Sequence, residues 1–366
     1  MIPDDYPVPA ARAARADLQR ALRELLPANV AVYVEDLHAG LALYLPGDGA
    51  YPAGGLEHLP VSLCAFARAA DGQFDLDTQV TYQLADRVGG EGAVQASPPG
   101  TSFSVRELCR HALADRDRTA CRMLRRALGD QTVIAWLESI GVGNAGLDEA
   151  TPTAYATCLK YVLALADHQP VLGGALLEWL RKGGGTRCTA AGLPASVPVA
   201  HVATGSGDAG IAFVPQAPYV ICAMSGAGTA DTSLFARIGS AVYQGLRPLA
   251  GKFAAVCLGA DQVPLRLPAA FMSDELMVSA DDLARALGAE SRWDPATQQI
   301  SLLLGGRQAA LIMGQNRLST IGQEVTLAVA AFRFEHEAIV PLRPVAEALG
   351  VSVVWDPDRC RAILTP

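Results

Sequence analysis

The stretch YPAGGLEHLPVSLCAF, Tyr51 to Phe66, sets a small-residue turn ahead of an apolar helix that begins near Leu56. A helix start carries free backbone N–H groups and the positive end of the helix dipole, a setting in which a serine nucleophile can be held and activated. No serine stands at this turn and no lysine one turn on; Gly55 and His58 occupy those places. Glu57 with His58 is a carboxylate–imidazole pair able to activate water, and His58 and Ser62, four residues apart, share one helix face. Against a Ser–His pair stands packing: the second turn of such a helix faces inward, so Ser62 is expected to be buried and bonded to the backbone. His111 and His168 fall within helical patterns or at their ends and read as structural, while His201 is open to either reading. With no H-E-x-x-H and no closely spaced histidine pair, neither a metal site nor a cofactor is expected.

The elements that must position these residues follow from periodicity. Residues 10–26 read as an amphipathic helix, ANVAVYVEDL alternates as a strand, and LALYLP returns as its hairpin partner. From about residue 72 to 190 the pattern is mostly helical. SVRELCRHALA carries a serine cap with glutamate three residues on, and TACRMLRRALG and QTVIAWLESIG close on glycine. After Pro198 the period drops to two through VAHVATGSG, AGIAFVP and APYVICAMSG, and TSLFARIGSAVYQGL closes with a helix. This order predicts an α+β domain over residues 1–248, an antiparallel sheet built from both chain ends with a helical insert.

Residues 251–366 behave as a second, smaller α+β domain with two internal repeats. LMVSADDLARALGAESRWDPATQQISL recurs as AIVPLRPVAEALGVSVVWDPDRCRAIL at an offset of 62, which carries Gly288 onto Gly350 and Trp293 onto Trp355. Each unit reads strand, short helix, glycine cap, strand, Asp-Pro turn, strand. Ser279 caps the first helix and Pro344 fits the first turn of the second. Units this small are expected to share one core, with Trp293 and Trp355 as anchors within it.

Bulk composition narrows the function classes. Of 366 residues 51% are hydrophobic and 18% charged, ample for packed cores. The net charge of -8 and the lack of a basic stripe argue against a nucleic-acid partner. No apolar run approaches the ~18 residues of a transmembrane segment. Eight scattered cysteines, none in a C-x-x-C pair, and an N-terminus without a signal-like apolar core point to the cytoplasm; the alternative is an exported protein with its signal removed.

Four segments in order resemble the serine beta-lactamase and penicillin-binding superfamily, above all its class A branch. They are VAVYVEDLHAGLALYLPGDGAYPAGGLEHLPVSL, ADRVGGEGAVQASPPGTSFSVREL, DRDRTACRMLRRALG and HVATGSGDAGIAFVPQAPYVICA, within residues 8–248. The family works through S-x-x-K, S-D-N and K-T-G signatures. Here the first reads Gly55 to His58, the second Arg116, Asp117, Arg118, and the third Ala203, Thr204, Gly205. The resemblance implies a fold retained without its acyl-transfer groups, a loss that costs about a million-fold in a comparable serine site. Only Asp148 and Glu149 remain in the short acidic loop. The backbone N–H groups of Gly55 and Ser206 match the family's oxyanion hole and are expected to persist. An anionic peptide or cell-wall fragment is then expected between Gly55 and the Thr204–Ser206 strand, held by Arg116 and Arg118, and more tightly when His58 gains a proton below about pH 6.5. The second domain resembles the copper amine oxidase-like N-terminal domain, often a repeated appendage of bacterial surface proteins. The resemblance rests on VPLRPVAEALGVSVVWDP and its weaker copy, and carries no copper site; a spacer or protein-binding role is implied. The reading is a catalytically inactive binding or scaffold protein, with two alternatives: a hydrolase using non-standard residues, and a structural protein with a vestigial cleft.

Overall fold

Strand alternation near both chain ends produces the central sheet in the computed structural model, which describes residues 2–45, 51–90, 92–142, 147–184, 188–226 and 232–366. Its strands are β1 (Val30–Asp36), β2 (Ala42–Leu45), β3 (Val199–Ala203), β4 (Gly207–Ala212) and β5 (Tyr219–Ser225). They run antiparallel in the order β2-β1-β5-β4-β3, with Val32 opposite Ala223 and Tyr33 opposite Cys222. Successive side chains of a strand point to opposite faces, and here each face meets its own apolar layer. Val220, Cys222 and Met224 join the helical layer, whereas Tyr219, Ile221 and Ala223 join the opposite one.

The helical layer is the insert: α2 (His58–Ala70), α3 (Val105–Ala114), α4 (Arg118–Leu128), α5 (Asp130–Ser139), α6 (Pro152–His168) and α7 (Pro170–Gly184). The opposite face is covered by α1 (Val8–Leu25) and α8 (Thr232–Leu246). Ser104 caps α3 as expected: its hydroxyl accepts from the Glu107 N–H at 3.2 Å, and the Glu107 carboxylate accepts from the Ser104 N–H at 2.7 Å. Helix α2 is apolar all round, with every residue from His58 to Ala67 buried, as suits a helix enclosed by others. Among the described residues no helix is long and apolar enough to cross a membrane.

The strand-rich part follows. Strands β6 (Ala255–Leu258), β7 (Ala270–Met272), β8 (Glu275–Ser279), β9 (Glu290–Asp294) and β10 (Gln299–Leu304) precede β11 (Arg307–Ile312), β12 (Arg317–Thr320) and β13 (Gln323–Thr326). Then come β14 (Phe332–Phe334), β15 (Glu337–Pro341), β16 (Ser352–Asp356) and β17 (Arg361–Thr365), with α9 (Ala280–Leu287) after β8 and α10 (Leu342–Ala348) after β15. The order β8-α9-β9-β10 is matched 62 residues on by β15-α10-β16-β17. The first set continues into a five-stranded meander β9 to β13, whereas β17 of the second pairs parallel with β6. Val278, Leu283 and Ile300 of the first set share one cluster with Val340, Val345 and Leu364 of the second. Of the two tryptophans expected as core anchors, Trp293 packs against the shared cluster and Trp355 departs from that role. Trp355 is 36% exposed and packs edge-on against Phe271, and Trp293 lies under the Arg333 guanidinium at 4.8 Å. Both rings lie on the inward face of an edge strand, opposite buried Ile300 and Ala362: Trp293 packs against the core cluster, while Trp355 is covered from one side only.

The two parts are joined by contact as well as by chain. Tyr6 stacks edge-on against Phe332 and Phe334, with centroids 5.0 and 5.2 Å away. Met272, Met277 and Ile339 belong to the same apolar cluster as α1 and α8. Asp167, at the end of α6, pairs with Arg361 at 2.9 Å and with Arg359.

Candidate functional site

The turn into α2 is built on two glycines in the left-handed half of backbone space, Gly54 at φ +59° and Gly55 at φ +111°. A side chain at Gly55 would put its Cβ 3.0 Å from Thr204 Cγ2, and one at Gly54 would overlap the Ser206 hydroxyl. The turn between β3 and β4 has thus closed onto the place where a nucleophile would stand. The donors are taken as well. The Gly55 N–H donates to Glu57 Oε2 at 2.7 Å, and the Ser206 N–H donates to Thr204 Oγ1 at 3.3 Å. The open oxyanion hole expected from the sequence is not what the structure shows. The Glu57 carboxylate, two residues beyond Gly55, folds back and takes one of the hole's two donors.

His58, the first residue of α2, is 2% exposed. Its Nδ1 lies 2.9 Å from the Ala112 carbonyl, which can only accept, so Nδ1 carries the proton. Burial pulls its pKa below the ordinary histidine value, and the nearby Glu57 carboxylate only partly opposes this. The charge expected of His58 under mild acid is therefore withheld, and its ring lies beneath the cleft rather than in it. Ser62 is fully buried beside the Cys109 thiol and makes no backbone bond, contrary to expectation.

Asp117 stays an N-cap. Its Oδ1 accepts from Thr119 N–H at 2.9 Å and Ala120 N–H at 3.0 Å, and its Oδ2 accepts from Val94 N–H at 2.8 Å. It thereby ties the segment around Val94 to α4, and Gly92 is required beneath it because a Cβ there would overlap the carboxylate. Arg116 occupies the bend between α3 and α4 at φ +54°. Ala203 is buried at the end of β3, Gly205 is exposed, and Thr204 and Ser206 are half-buried over Gly55.

A groove of about 700 Å³ opens along α4, lined among others by Glu57, Arg118, Cys121, Arg122, Arg125 and Asp148. Two of its arginines are neutralised. Arg125 clasps Asp130 with two bonds of 2.9 and 2.7 Å and reaches Asp148 at 2.8 Å; Arg126 clasps Asp86 with two of 2.9 Å. Arg118 and Arg122 are exposed and make no hydrogen bond or ion pair among the described residues. The residues singled out in the sequence thus fall into two groups. Gly55, Thr204 and Ser206 meet at a closed end, Arg118 belongs to the groove, and Arg116 and Thr204 do not line it. Glu57 enters the sequence reading only as a partner of His58 in activating water, and Cys121 and Arg122 are missed as site residues; the basic spacing in RTACRMLRR was the available signal for Arg122. His201 resolves as structural: fully buried, its Nδ1 lies 2.7 Å from Asp208, which also accepts from the Thr189 N–H at 2.8 Å.

A five-stranded antiparallel sheet with a helical layer on one face and the terminal helices on the other, and the start of α2 set against the β3–β4 turn, defines the penicillin-binding and beta-lactamase class of fold. The sequence profile of the beta-lactamase enzyme family matches residues 13–246, and the chain belongs to that family. A second profile, the copper amine oxidase N-terminal domain, matches residues 258–364. Solved structures agree. A PBP-A superposes with a TM-score of 0.59 at 21% identity, covering 65% of this chain and 97% of its own. A beta-lactamase from Sphaerobacter thermophilus gives 0.55 at 18%, covering 64% and 98%. An ancestral class A beta-lactamase gives 0.55 at 26%, covering 62% and 99%. No curated protein matches the sequence significantly.

Proposed function

We propose that this protein is a beta-lactamase-family member without serine acyl transfer, acting as a binding or scaffold module for an anionic peptide or cell-wall fragment. Glycine at position 55 has no nucleophile, and the two donors that would stabilise an oxyanion already have acceptors inside the chain. The observation that carries the binding role is the pair of exposed, unpartnered guanidiniums of Arg118 and Arg122 at one groove. Such forks suit carboxylates. The ligand position expected between Gly55 and Thr204 moves in this reading to the groove along α4, because Glu57 already holds the helix start. We place the boundary between the two domains at residues 248–251, with residues 251–366 arising from an internal repeat and serving as a spacer or protein-binding appendage. The eight cysteines, all free and buried, support a reducing compartment.

Titrating a labelled acidic muropeptide into wild type and Arg118→Ala at low and moderate salt tests the reading. Loss of one charge-assisted contact of roughly 1.5–3 kcal/mol should weaken binding about ten- to a hundred-fold, and salt should weaken the wild type. Equal affinity in both proteins, or no binding at either salt, would leave the groove vestigial.

A further inference from the structure

Three groups that anion binding leaves unused meet at the inner wall of the groove. A carboxylate oxygen of Glu57, a ring nitrogen of His58 and the sulfur of Cys121 all lie within 4.8 Å of one another. The first two come from the start of α2 and the third from the first turn of α4, so the cluster exists only because these helices pack together. With Nδ1–H donated to Ala112, His58 Nε2 is left as a bare lone pair, buried and without a hydrogen-bond partner. An unsatisfied buried polar atom costs roughly 1–3 kcal/mol. A histidine whose other N–H is held by a backbone carbonyl is also the arrangement that orients a ligating imidazole. Burial, with the Glu57 charge beside it, pushes the Cys121 thiol well above its ordinary pKa, so without an ion it remains protonated and unreactive.

We propose that Glu57, His58 and Cys121 form a binding site for a divalent transition metal, zinc being the ion whose preferences fit. One oxygen, one nitrogen and one sulfur donor suit a borderline-soft ion in tetrahedral coordination. Bonds of about 2.0–2.3 Å place tetrahedral ligands roughly 3.5 Å apart, so atoms that already lie within 4.8 Å of one another need draw in by at most about an ångström. Glu57, half-buried at the groove, has the freedom to do this. On binding, the sulfur–proton bond is exchanged for a sulfur–metal bond and the proton leaves to solvent. Three protein ligands leave a fourth position, open to the groove, for water or for a carboxylate held by Arg118 and Arg122. This goes beyond the binding reading, which needs no metal.

The test uses the full chain, chelator-stripped and kept reduced, titrated with cobalt(II). One equivalent should produce visible bands of tetrahedral cobalt and a near-ultraviolet thiolate-to-cobalt charge-transfer band. Zinc should displace the cobalt and raise the melting temperature. Cys121→Ala should abolish the charge-transfer band, and His58→Gln and Glu57→Gln should each weaken metal binding about ten-fold or more. Cys158→Ala, which alters another buried thiol, should keep the band. Circular dichroism confirms that each variant is folded, and the Glu57 variant, altered at a partly exposed residue, serves where a core variant fails to fold. A wild type without a one-equivalent band, or a band that persists in Cys121→Ala, would overturn the proposal.

Discussion

The two ends of the cleft have fared differently. At the start of α2 both matched donors are engaged internally, Gly55 N–H by Glu57 and Ser206 N–H by Thr204, and the Thr204 side chain lies where a side chain at residue 55 would begin. Along α4, a few ångströms of groove away, two guanidiniums stand open while their neighbours are neutralised by carboxylates. An active centre that had merely lost a side chain would leave an empty hole with free donors. Here internal groups already take these donors, so under the proposed function restoring a single residue is not expected to restore acyl transfer.

Four experiments press on that contrast. The largest effect is expected for Asp117→Ala, which removes the α4 cap and leaves the Val94 N–H without its acceptor. Together these should cost about 2–4 kcal/mol in urea unfolding, and an unchanged midpoint would mean that the groove wall is not held by this carboxylate. Next, Gly55→Ser should destabilise by about 1–2 kcal/mol because an L-residue resists φ +111°. It should also still fail to acquire a fluorescent penicillin; an adduct found at residue 55 by mass spectrometry would break the comparison outright. A smaller effect is expected for Glu57→Ala, assayed metal-free. Releasing a hydrogen bond of about 0.5–1.5 kcal/mol at the helix start should raise affinity for an acidic peptide about two- to ten-fold. The smallest effect concerns pH: because burial keeps His58 neutral, lowering pH from about 7.5 to about 6 should change anion affinity by no more than about two-fold. Stability behaves otherwise. Unfolded histidine takes up a proton near 6.5, so below that value the unfolded state binds more protons than the fold, and denaturant midpoints should fall as pH drops through it.

Much of the fold is written locally in the sequence. Alternation in ANVAVYVEDL and APYVICAMSG marks strands that pair with each other, and the Ser104–Glu107 and Ser279–Asp282 spacings mark helix starts that the structure caps as expected. The lost signatures at Gly55, Arg116 to Arg118 and Ala203 are equally legible, because absence of a side chain type is a local fact. What the sequence hides is what replaces them. Glu57 reads as a partner of His58 until the turn brings its carboxylate back onto the Gly55 N–H. Cys121 reads as a small apolar filler in RTACRMLRR until α4 packs on α2. Trp355, apolar and repeated, reads as core, yet its strand lies where one face meets solvent. Each miss involves a contact set by how elements pack, which residue type and period do not encode.

The edge-on stacking of Tyr6 against Phe332 and Phe334 has a consequence for how the chain is made. A ribosome adding roughly 5–20 residues per second exposes Tyr6 about 330 residues before its aromatic partners, a wait on the order of tens of seconds. During that interval the Tyr6 ring, just ahead of α1, lacks its final cover, so the nascent polypeptide depends on whatever shields it until β14 emerges and docks.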